Sequence, residues 1–195
     1  EFRGVRKEYP GTLALDDFSA GFTGGKVHAL VGKNGSGKST TIKILSGAVA
    51  PTRGELFLKG TQLEIQSPRD ALEKGIATVY QELSLIPELS VAENIAAGNL
   101  PTRGHVVPRV DWSAVEEHAR EALAMMEVTL PLDVPVRSLS VGRQQVVEIA
   151  KAMSFHPQIL ILDEPTSALA QHEVTSLFEI VRRLRDRGVT VIHGL

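Results

Sequence analysis

The residues best suited to chemistry form one glycine-rich stretch, Gly32-Lys33-Asn34-Gly35-Ser36-Gly37-Lys38-Ser39, which matches the phosphate-binding loop pattern. A strand-like segment at 27–31 precedes this loop and a helix-like segment follows it, as the pattern requires. Its glycines allow backbone N–H groups to turn towards phosphate oxygens, and the following helix N-terminus favours negative charge. Lys38 is expected to reach the β- and γ-phosphates of a nucleotide, and the Ser39 hydroxyl to bind Mg²⁺. A glycine-rich turn without a ligand is the alternative, which this context disfavours.

Two carboxylates follow a second apolar segment. Residues 159–162 read Ile-Leu-Ile-Leu and predict a strand buried on both faces, and Asp163 and Glu164 come directly after it. Ligands of open α/β sheets bind at the carboxyl ends of the strands. We therefore expect Asp163 to contact Mg²⁺, directly or through water, and Glu164 to act as a general base that orients the attacking water.

The composition excludes several other kinds of chemistry. The 195 residues include no cysteine, so disulfides, thiolate metal sites and cysteine nucleophiles are excluded. A net charge of −2 provides no general attraction to nucleic acid. Hydrophobic residues make up 43% and charged residues 23%, as in an ordinary globular domain, and no apolar run is long enough to cross a bilayer.

The order of elements predicts a mixed α/β core interrupted by a helical insertion. Around the insertion, strands are expected near 2–8, 13–18, 26–31, 54–58, 75–80, 158–162 and 189–192, and helices near 37–46 and 172–187. Inside it, Ser113 and Glu116 have capping-box spacing, and the helix after them is expected to end near Glu127. Another helix is expected from Val141, with an apolar face of Val146, Ile149, Ala150 and Met153. Residues 101–108 and 131–135 are predicted to be loops.

A further motif lies just before the predicted strand that leads to Asp163. It reads Leu139-Ser140-Val141-Gly142-Arg143-Gln144-Gln145 and resembles the signature of the ABC ATPase family. Tyr9 and Gln81 match, in order, the adenine-stacking aromatic and the glutamine loop of that family. The resemblance covers essentially the whole chain. It implies an α/β P-loop ATPase core with an N-terminal antiparallel β subdomain and a helical insertion.

The same resemblance implies a set of site residues and a division into domains. A single nucleotide-binding domain, 1–195, is expected to be truncated at its C-terminus, with a core of 1–81 and 158–195 and a helical subdomain of 82–157. Catalysis is expected from Glu164, Gln81 and His193, and Mg²⁺ binding from Ser39, Gln81 and Asp163. ATP is expected to contact Tyr9, Gly32, Lys33, Asn34, Gly35, Ser36, Gly37, Lys38, Ser39, Thr40, Ser140 and Gly142.

Ser140 is a good N-cap, so the helix after it presents N–H groups and a positive dipole end that suit a γ-phosphate. In the family this signature contacts the nucleotide of the opposite subunit, which implies a second ABC ATPase domain in the same or another chain. The stretches 80–95 and 144–152 resemble the ATPases of bacterial carbohydrate importers, and related nucleoside importers share much of this pattern, so the resemblance implies import of a sugar or a similar small solute. The resemblance then implies a peripheral protein on the cytoplasmic face of the bacterial membrane, with membrane permease subunits as direct partners and an extracytoplasmic solute-binding protein as an indirect one. Nucleic acid is not expected as a partner.

Departures from the family pattern keep two other functions open. The signature has Val141 and Arg143 in place of glycine and glutamine, and Ala170 replaces a common aspartate. The family places its switch histidine a few residues beyond the strand that starts here near Val189, whereas His193 follows Ile192 directly. A non-hydrolysing, degenerate half of a two-site machine is therefore one alternative. The other is a soluble ABC ATPase acting on DNA or the ribosome, although no coiled coil, zinc module or basic linker is visible.

Overall fold

The computed structural model describes residues 1–103, 109–163 and 169–194. Their contacts group them into two compact units. The first contains residues 1–78, 157–163 and 188–194, and the second contains 79–103, 109–156 and 169–187. Among these residues, no helix combines the length and the apolar character needed to cross a membrane.

The described strands, in chain order, are β1 (Phe2–Tyr9), β2 (Thr12–Ala20), β3 (Val27–Leu30), β4 (Arg53–Leu58), β5 (Thr61–Gln62), β6 (Ile76–Val79), β7 (Thr102–Arg103), β8 (Arg109–Val110), β9 (Ile159–Asp163) and β10 (Thr190–Gly194). The helices are α1 (Lys38–Leu45), α2 (Pro68–Glu73), α3 (Val91–Ala96), α4 (Trp112–Met125), α5 (Val141–Met153) and α6 (Gln171–Asp186), and a short 3₁₀ helix spans Val136–Ser138.

The first unit contains two four-stranded sheets. One has the order β2-β1-β4-β5 and antiparallel pairing, and the other has the order β3-β10-β9-β6. In the second sheet β10 runs parallel to both β3 and β9. Strand β10, the last described strand of the chain, therefore separates the strand before the glycine-rich loop from the strand that ends at Asp163.

Helix α1 fills the space beside these sheets. It buries Thr41, Ile42, Ile44 and Leu45, because apolar residues recur on one side of the helix. The buried cluster around it joins residues of both sheets, including Phe2, Val5, Leu56, Ile161 and Ile192. The helix ends at Leu45 with Ser46 as its C-cap, and Gly47 follows with a φ of 72°, which glycine adopts without strain.

The second unit packs α3, α4 and α5 against one another and α6 against α5. Helix α5 begins after Ser140, as the sequence predicts, but its buried side extends to Gln145 and Glu148, while Val146 is only partly buried. Helix α6 lies in this unit, whereas the predicted division places 158–195 in the core; the domain boundaries stay a prediction.

Several local expectations are corrected. Ser113 is not an N-cap: α4 begins two residues earlier than expected, at Trp112, because the Asp111 carboxylate accepts a hydrogen bond from the backbone N–H of Ala114 at 3.4 Å. The segment 101–108, expected to be a loop, contains strand β7, which pairs with β8. Helices α2 and α3 are too short for a periodicity to reveal them, although Ser67 and Ser90 cap them.

Candidate functional site

The glycine-rich loop connects β3 to α1 within the first unit. Gly35 and Gly37 have φ values of 80° and 92°, a region that disfavours any residue with a side chain. A Cβ on Gly32 would lie 2.3 Å from Ser36 Oγ, and one on Gly37 would lie 2.5 Å from Leu15 Cδ2. Backbone conformation therefore favours glycine at positions 35 and 37, close packing adds to this at Gly37, and a side chain at Gly32 would displace that of Ser36.

The N-terminus of α1 is open to an anion. Its N-cap, Gly37, contributes no side-chain cap, and the first turn contains no acidic residue. The first N–H groups of a helix have no acceptor within the helix, and the dipole there favours negative charge. The first turn of α1 therefore presents several backbone N–H donors to an anion bound beside the loop.

Lys38, at the start of the same helix, folds back over the loop. Its ammonium group donates a short hydrogen bond to the carbonyl oxygen of Gly32 and lies 3.5 Å from that of Lys33. The positive charge of Lys38 is therefore held close to the backbone of the loop, where it could contact an anion bound there.

A cavity of about 440 Å³ opens beside the loop. The side chain of Tyr9, at the end of β1, lines this cavity together with Thr12, Leu13 and loop residues 33–40. Lys7 Nζ lies 5.1 Å from the centroid of the Tyr9 ring. The structure therefore brings together Tyr9 and the loop residues that the sequence predicts.

Asp163 ends β9 on the side of the sheet covered by α1. It is paired with Gly194 of β10, and a Cβ on Gly194 would lie 3.3 Å from Asp163 Oδ1 and 3.0 Å from Ile42 Cδ1. The absence of a side chain at Gly194 leaves space for the half-buried Asp163 carboxylate. Glu164, the expected general base, lies outside the described residues.

His193 occupies a different position from the one expected of a switch residue. It lies inside β10, in register with Leu162 and Ala29, and is only 5% exposed. Neighbouring residues of a strand face opposite sides of the sheet, so His193 projects away from the face that carries Asp163. A role for His193 in switching stays a prediction, and this placement does not support it.

Burial lowers the pKa of His193 below the ordinary histidine value of about 6.5, because the charged ring is poorly solvated there. As the pH falls below about 6.5, the unfolded chain binds this proton before the folded chain does, so the free energy of unfolding should decrease. We expect His193→Gln to lose less stability than the wild type between pH 7.5 and 5.5, measured by urea unfolding. The exposed His172→Gln serves as the control. Parallel pH curves for wild type and His193→Gln would contradict this.

The predicted signature lies in the second unit, at the start of α5. The Ser140 side chain caps the helix by accepting from the backbone N–H of Arg143 at 3.4 Å. Ser140 Oγ in turn donates to Glu173 Oε1 at 3.2 Å, and the N–H of Gly142 donates to the same oxygen at 3.1 Å. The N–H of Ala170 donates to Glu173 Oε2 at 3.2 Å, and this backbone bond is the main cause of a lowered Glu173 pKa.

Gln81 follows β6 and is exposed in the second unit. Ser84, three residues after Gln81, is hydrogen-bonded to two side chains of α5. The backbone N–H of Ser84 donates a short hydrogen bond to the Glu148 carboxylate, and Lys151 Nζ donates to Ser84 Oγ at 2.8 Å. Glu148 is 6% exposed, so its carboxylate is buried, and the N–H of Ser84 satisfies one of its oxygens. The segment after Gln81 and the signature helix are thus tied within one unit.

Glu148 and Glu173 were not predicted as part of the site. Glu173 has the capping-box spacing from Ala170, but alanine cannot complete that pattern, so the sequence offers no clear signal. Glu148 lies next to the apolar stripe of α5 and looks like an ordinary helix-surface glutamate. Only the approach of residues distant in sequence reveals either role.

The fold is that of an ATP-binding cassette. A solved ATP-binding cassette of an ABC transporter, in its ADP conformation, aligns with a TM-score of 0.86 and 25% identity, over 99% of this chain and 79% of that one. A dimeric cassette in a post-hydrolysis state, bound to ADP and Pi, aligns with a TM-score of 0.76 and 25% identity, over 99% of this chain and 86% of that one.

The chain belongs to the ABC transporter family, whose family model matches residues 15–167. It is 47% identical over 193 residues to the arabinose import ATP-binding protein AraG of Vibrio parahaemolyticus, covering 99% of this chain and 38% of that protein. It is 48% identical over 192 residues to the ribose import ATP-binding protein RbsA 1 of Rubrobacter xylanophilus, covering 98% and 38%. The chain therefore spans just over a third of these relatives. The family and fold predicted from the motifs are confirmed.

Proposed function

We propose that the chain is an ATP-binding and ATP-hydrolysing domain that powers import of a sugar. It would act at the cytoplasmic face of a bacterial membrane, against permease subunits, with a second ABC ATPase domain beside it and an extracytoplasmic solute-binding protein delivering the solute. The names of the arabinose and ribose import relatives support the solute class. The observation that carries the activity is the glycine-rich loop at the uncapped N-terminus of α1.

The loop offers the phosphates of ATP both positive charge and backbone N–H donors. The loop N–H groups and the first turn of α1 would bind phosphate oxygens, and Lys38 would exchange its carbonyl partners for the β- and γ-phosphates. Tyr9 lines the cavity beside the loop and would stack on the adenine ring. Residues 32–40 and Tyr9 are therefore the proposed ATP contacts of the first unit.

Hard oxygen ligands for Mg²⁺ are present in the same unit. The Ser39 hydroxyl lies in the wall of the cavity, and the Asp163 carboxylate ends β9 beside a glycine that leaves it space. These oxygens match the ligand preference of Mg²⁺, and Gln81 is the proposed third contact. When bound, the metal supplies positive charge that offsets the negative charge of the reacting phosphates.

The chain's own groups would then divide the hydrolytic step among them. Glu164 would accept a hydrogen bond from water and orient it for in-line attack on the γ-phosphate, and Gln81 would sense that phosphate. Ser140 and Gly142 would donate hydrogen bonds to the γ-phosphate held by the second domain, because the start of α5 presents them together. Each site would therefore need two domains.

The test is the steady-state rate of Mg·ATP hydrolysis per molecule, measured across protein concentrations. A rate per molecule that rises with concentration is expected, because each site forms between two domains. A soluble ABC ATPase acting on DNA or the ribosome would instead be stimulated by those partners. ATP binding without turnover at any concentration, even with permease subunits added, would establish a degenerate half in place of an enzyme.

Gly194 provides a test of the metal contact. In Gly194→Ala, the new methyl would lie 3.3 Å from Asp163 Oδ1 and 3.0 Å from Ile42 Cδ1, so the carboxylate must shift by a few tenths of an ångström. We expect the Mg²⁺ concentration for half-maximal turnover to rise about tenfold, since roughly 1.4 kcal/mol of lost metal interaction has that effect. Gly24→Ala is the matched control, because nothing described lies within 4 Å of its added methyl. An unchanged Mg²⁺ dependence would contradict the assignment of Asp163.

A further inference from the structure

The carboxylate of Glu173 rests on the start of the signature helix. Its Oε1 accepts hydrogen bonds from Ser140 Oγ at 3.2 Å and from the Gly142 N–H at 3.1 Å. A Cβ on Gly142 would lie 2.5 Å from this oxygen and 2.6 Å from Glu173 Cδ. The lack of a side chain at Gly142 therefore creates the space that the carboxylate occupies.

These two donors are the ones proposed above for a γ-phosphate. A carboxylate and a phosphate are both anions that present oxygen acceptors, and the helix N-terminus favours either of them. One N–H group and one hydroxyl cannot donate fully to both. The Glu173 carboxylate and a phosphate must therefore compete at Ser140 and Gly142.

We propose that Glu173 is an internal placeholder, which occupies the phosphate-binding donors of Ser140 and Gly142 until the nucleotide held by a second domain displaces it. This inference rests on the proposed function, because it takes the incoming phosphate from that function. Glu173 is thus a positioning residue that raises the protein concentration at which two nucleotide-loaded domains pair.

The second oxygen of the carboxylate extends the effect to α6. Oε2 accepts from the Ala170 N–H at 3.2 Å and so holds the first turn of that helix. The single carboxylate bridges the N-termini of α5 and α6 in the resting chain. Its displacement from Ser140 and Gly142 would uncouple the two helix ends, so that α6 responds to phosphate at α5.

The primary experiment uses inorganic phosphate as the probe and the ¹⁵N-labelled chain. The amide resonance of Gly142 is followed during a phosphate titration of the wild type and of Glu173→Gln, which preserves the shape of the side chain and removes its charge. We expect the apparent Kd for phosphate at Gly142 to fall about tenfold in the variant. The amides of Gly35 and Gly37, in the glycine-rich loop, should respond with the same Kd in both proteins.

Glu93→Gln is the matched control. Glu93 makes the same contact at the start of α3, where its carboxylate accepts from the N-cap backbone N–H of Ser90 at 2.8 Å, but it belongs to a different helix from the signature. It should reproduce any small loss of helix stability and leave the Gly142 titration unchanged. Phosphate binding at Gly142 that is equal or weaker in Glu173→Gln would overturn the placeholder role.

A second measurement separates this inference from the proposed function. Dimerisation driven by a non-hydrolysable ATP analogue is measured by sedimentation, and Glu173→Gln should dimerise at about fivefold to tenfold lower protein concentration. If neither protein dimerises or hydrolyses ATP, the proposed function fails, while the phosphate titration still decides the placeholder role. Dimerisation of the wild type with no gain in the variant contradicts the placeholder alone.

Discussion

Lys38→Ala is expected to weaken binding of Mg·ATP by roughly tenfold to a hundredfold, because it removes charge-assisted hydrogen bonds that contribute about 1.5–3 kcal/mol. The Lys38 ammonium already lies over the loop, where it donates hydrogen bonds to the backbone carbonyls of Gly32 and Lys33, close to the phosphate position proposed here. Calorimetric titration with Mg·ATP measures the effect directly.

Lys43→Ala is the control for this experiment. Lys43 belongs to the same helix but lies in its last turn, exposed and away from the loop. It should bind Mg·ATP with the affinity of the wild type, and thermal unfolding should show both variants folded. Wild-type affinity in Lys38→Ala would remove the lysine from the proposed phosphate contacts.

Glu164→Gln is expected to reduce turnover by about 10²–10⁴-fold while ATP binding is retained, because an amide of the same size cannot act as a general base. The assignment comes from the sequence, since Glu164 directly follows Asp163 at the carboxyl end of β9. Turnover is measured as phosphate release at saturating Mg·ATP, and affinity by a separate titration.

Glu121→Gln, an exposed change of the same kind on α4, is the matched control and should leave both quantities unchanged. Undiminished turnover in Glu164→Gln would remove Glu164 as the base. A simultaneous loss of ATP affinity would instead indicate that Glu164 contributes to binding, and the division of roles between Asp163 and Glu164 would need revision.

The strand–loop–helix around the glycine-rich loop could be predicted because its signals are local. Loop glycines, an apolar strand and an amphipathic helix lie within about twenty residues of one another, and their spacing specifies the geometry. The strands flanking Pro10-Gly11 and the strand ending at Asp163 were predicted for the same reason. Short helices such as α2 could not be predicted, because six residues contain too few turns to establish a helical period.

The parts of the candidate site that escaped prediction depend on residues distant in sequence. Glu173 reaches Ser140 across 33 residues, and Glu148 reaches Ser84 across 64. Each glutamate is compatible with an exposed helix surface when its own segment is read alone. The placement of His193 follows from the register of β10 against β9, and register is specified by tertiary packing.

The central position of β10 has a consequence for biosynthesis. The strand before the glycine-rich loop and the strand ending at Asp163 are both paired to β10, and Gly25 bonds to Thr190 across 165 residues of chain. While the polypeptide leaves the ribosome, β3 and β9 cannot join in one sheet until β10 has been synthesised. The sheet of β3, β10, β9 and β6 is therefore completed only after nearly all of the residues described here have been synthesised, and until then the unpaired edges of β3 and β9 are open to a chaperone or to misassembly.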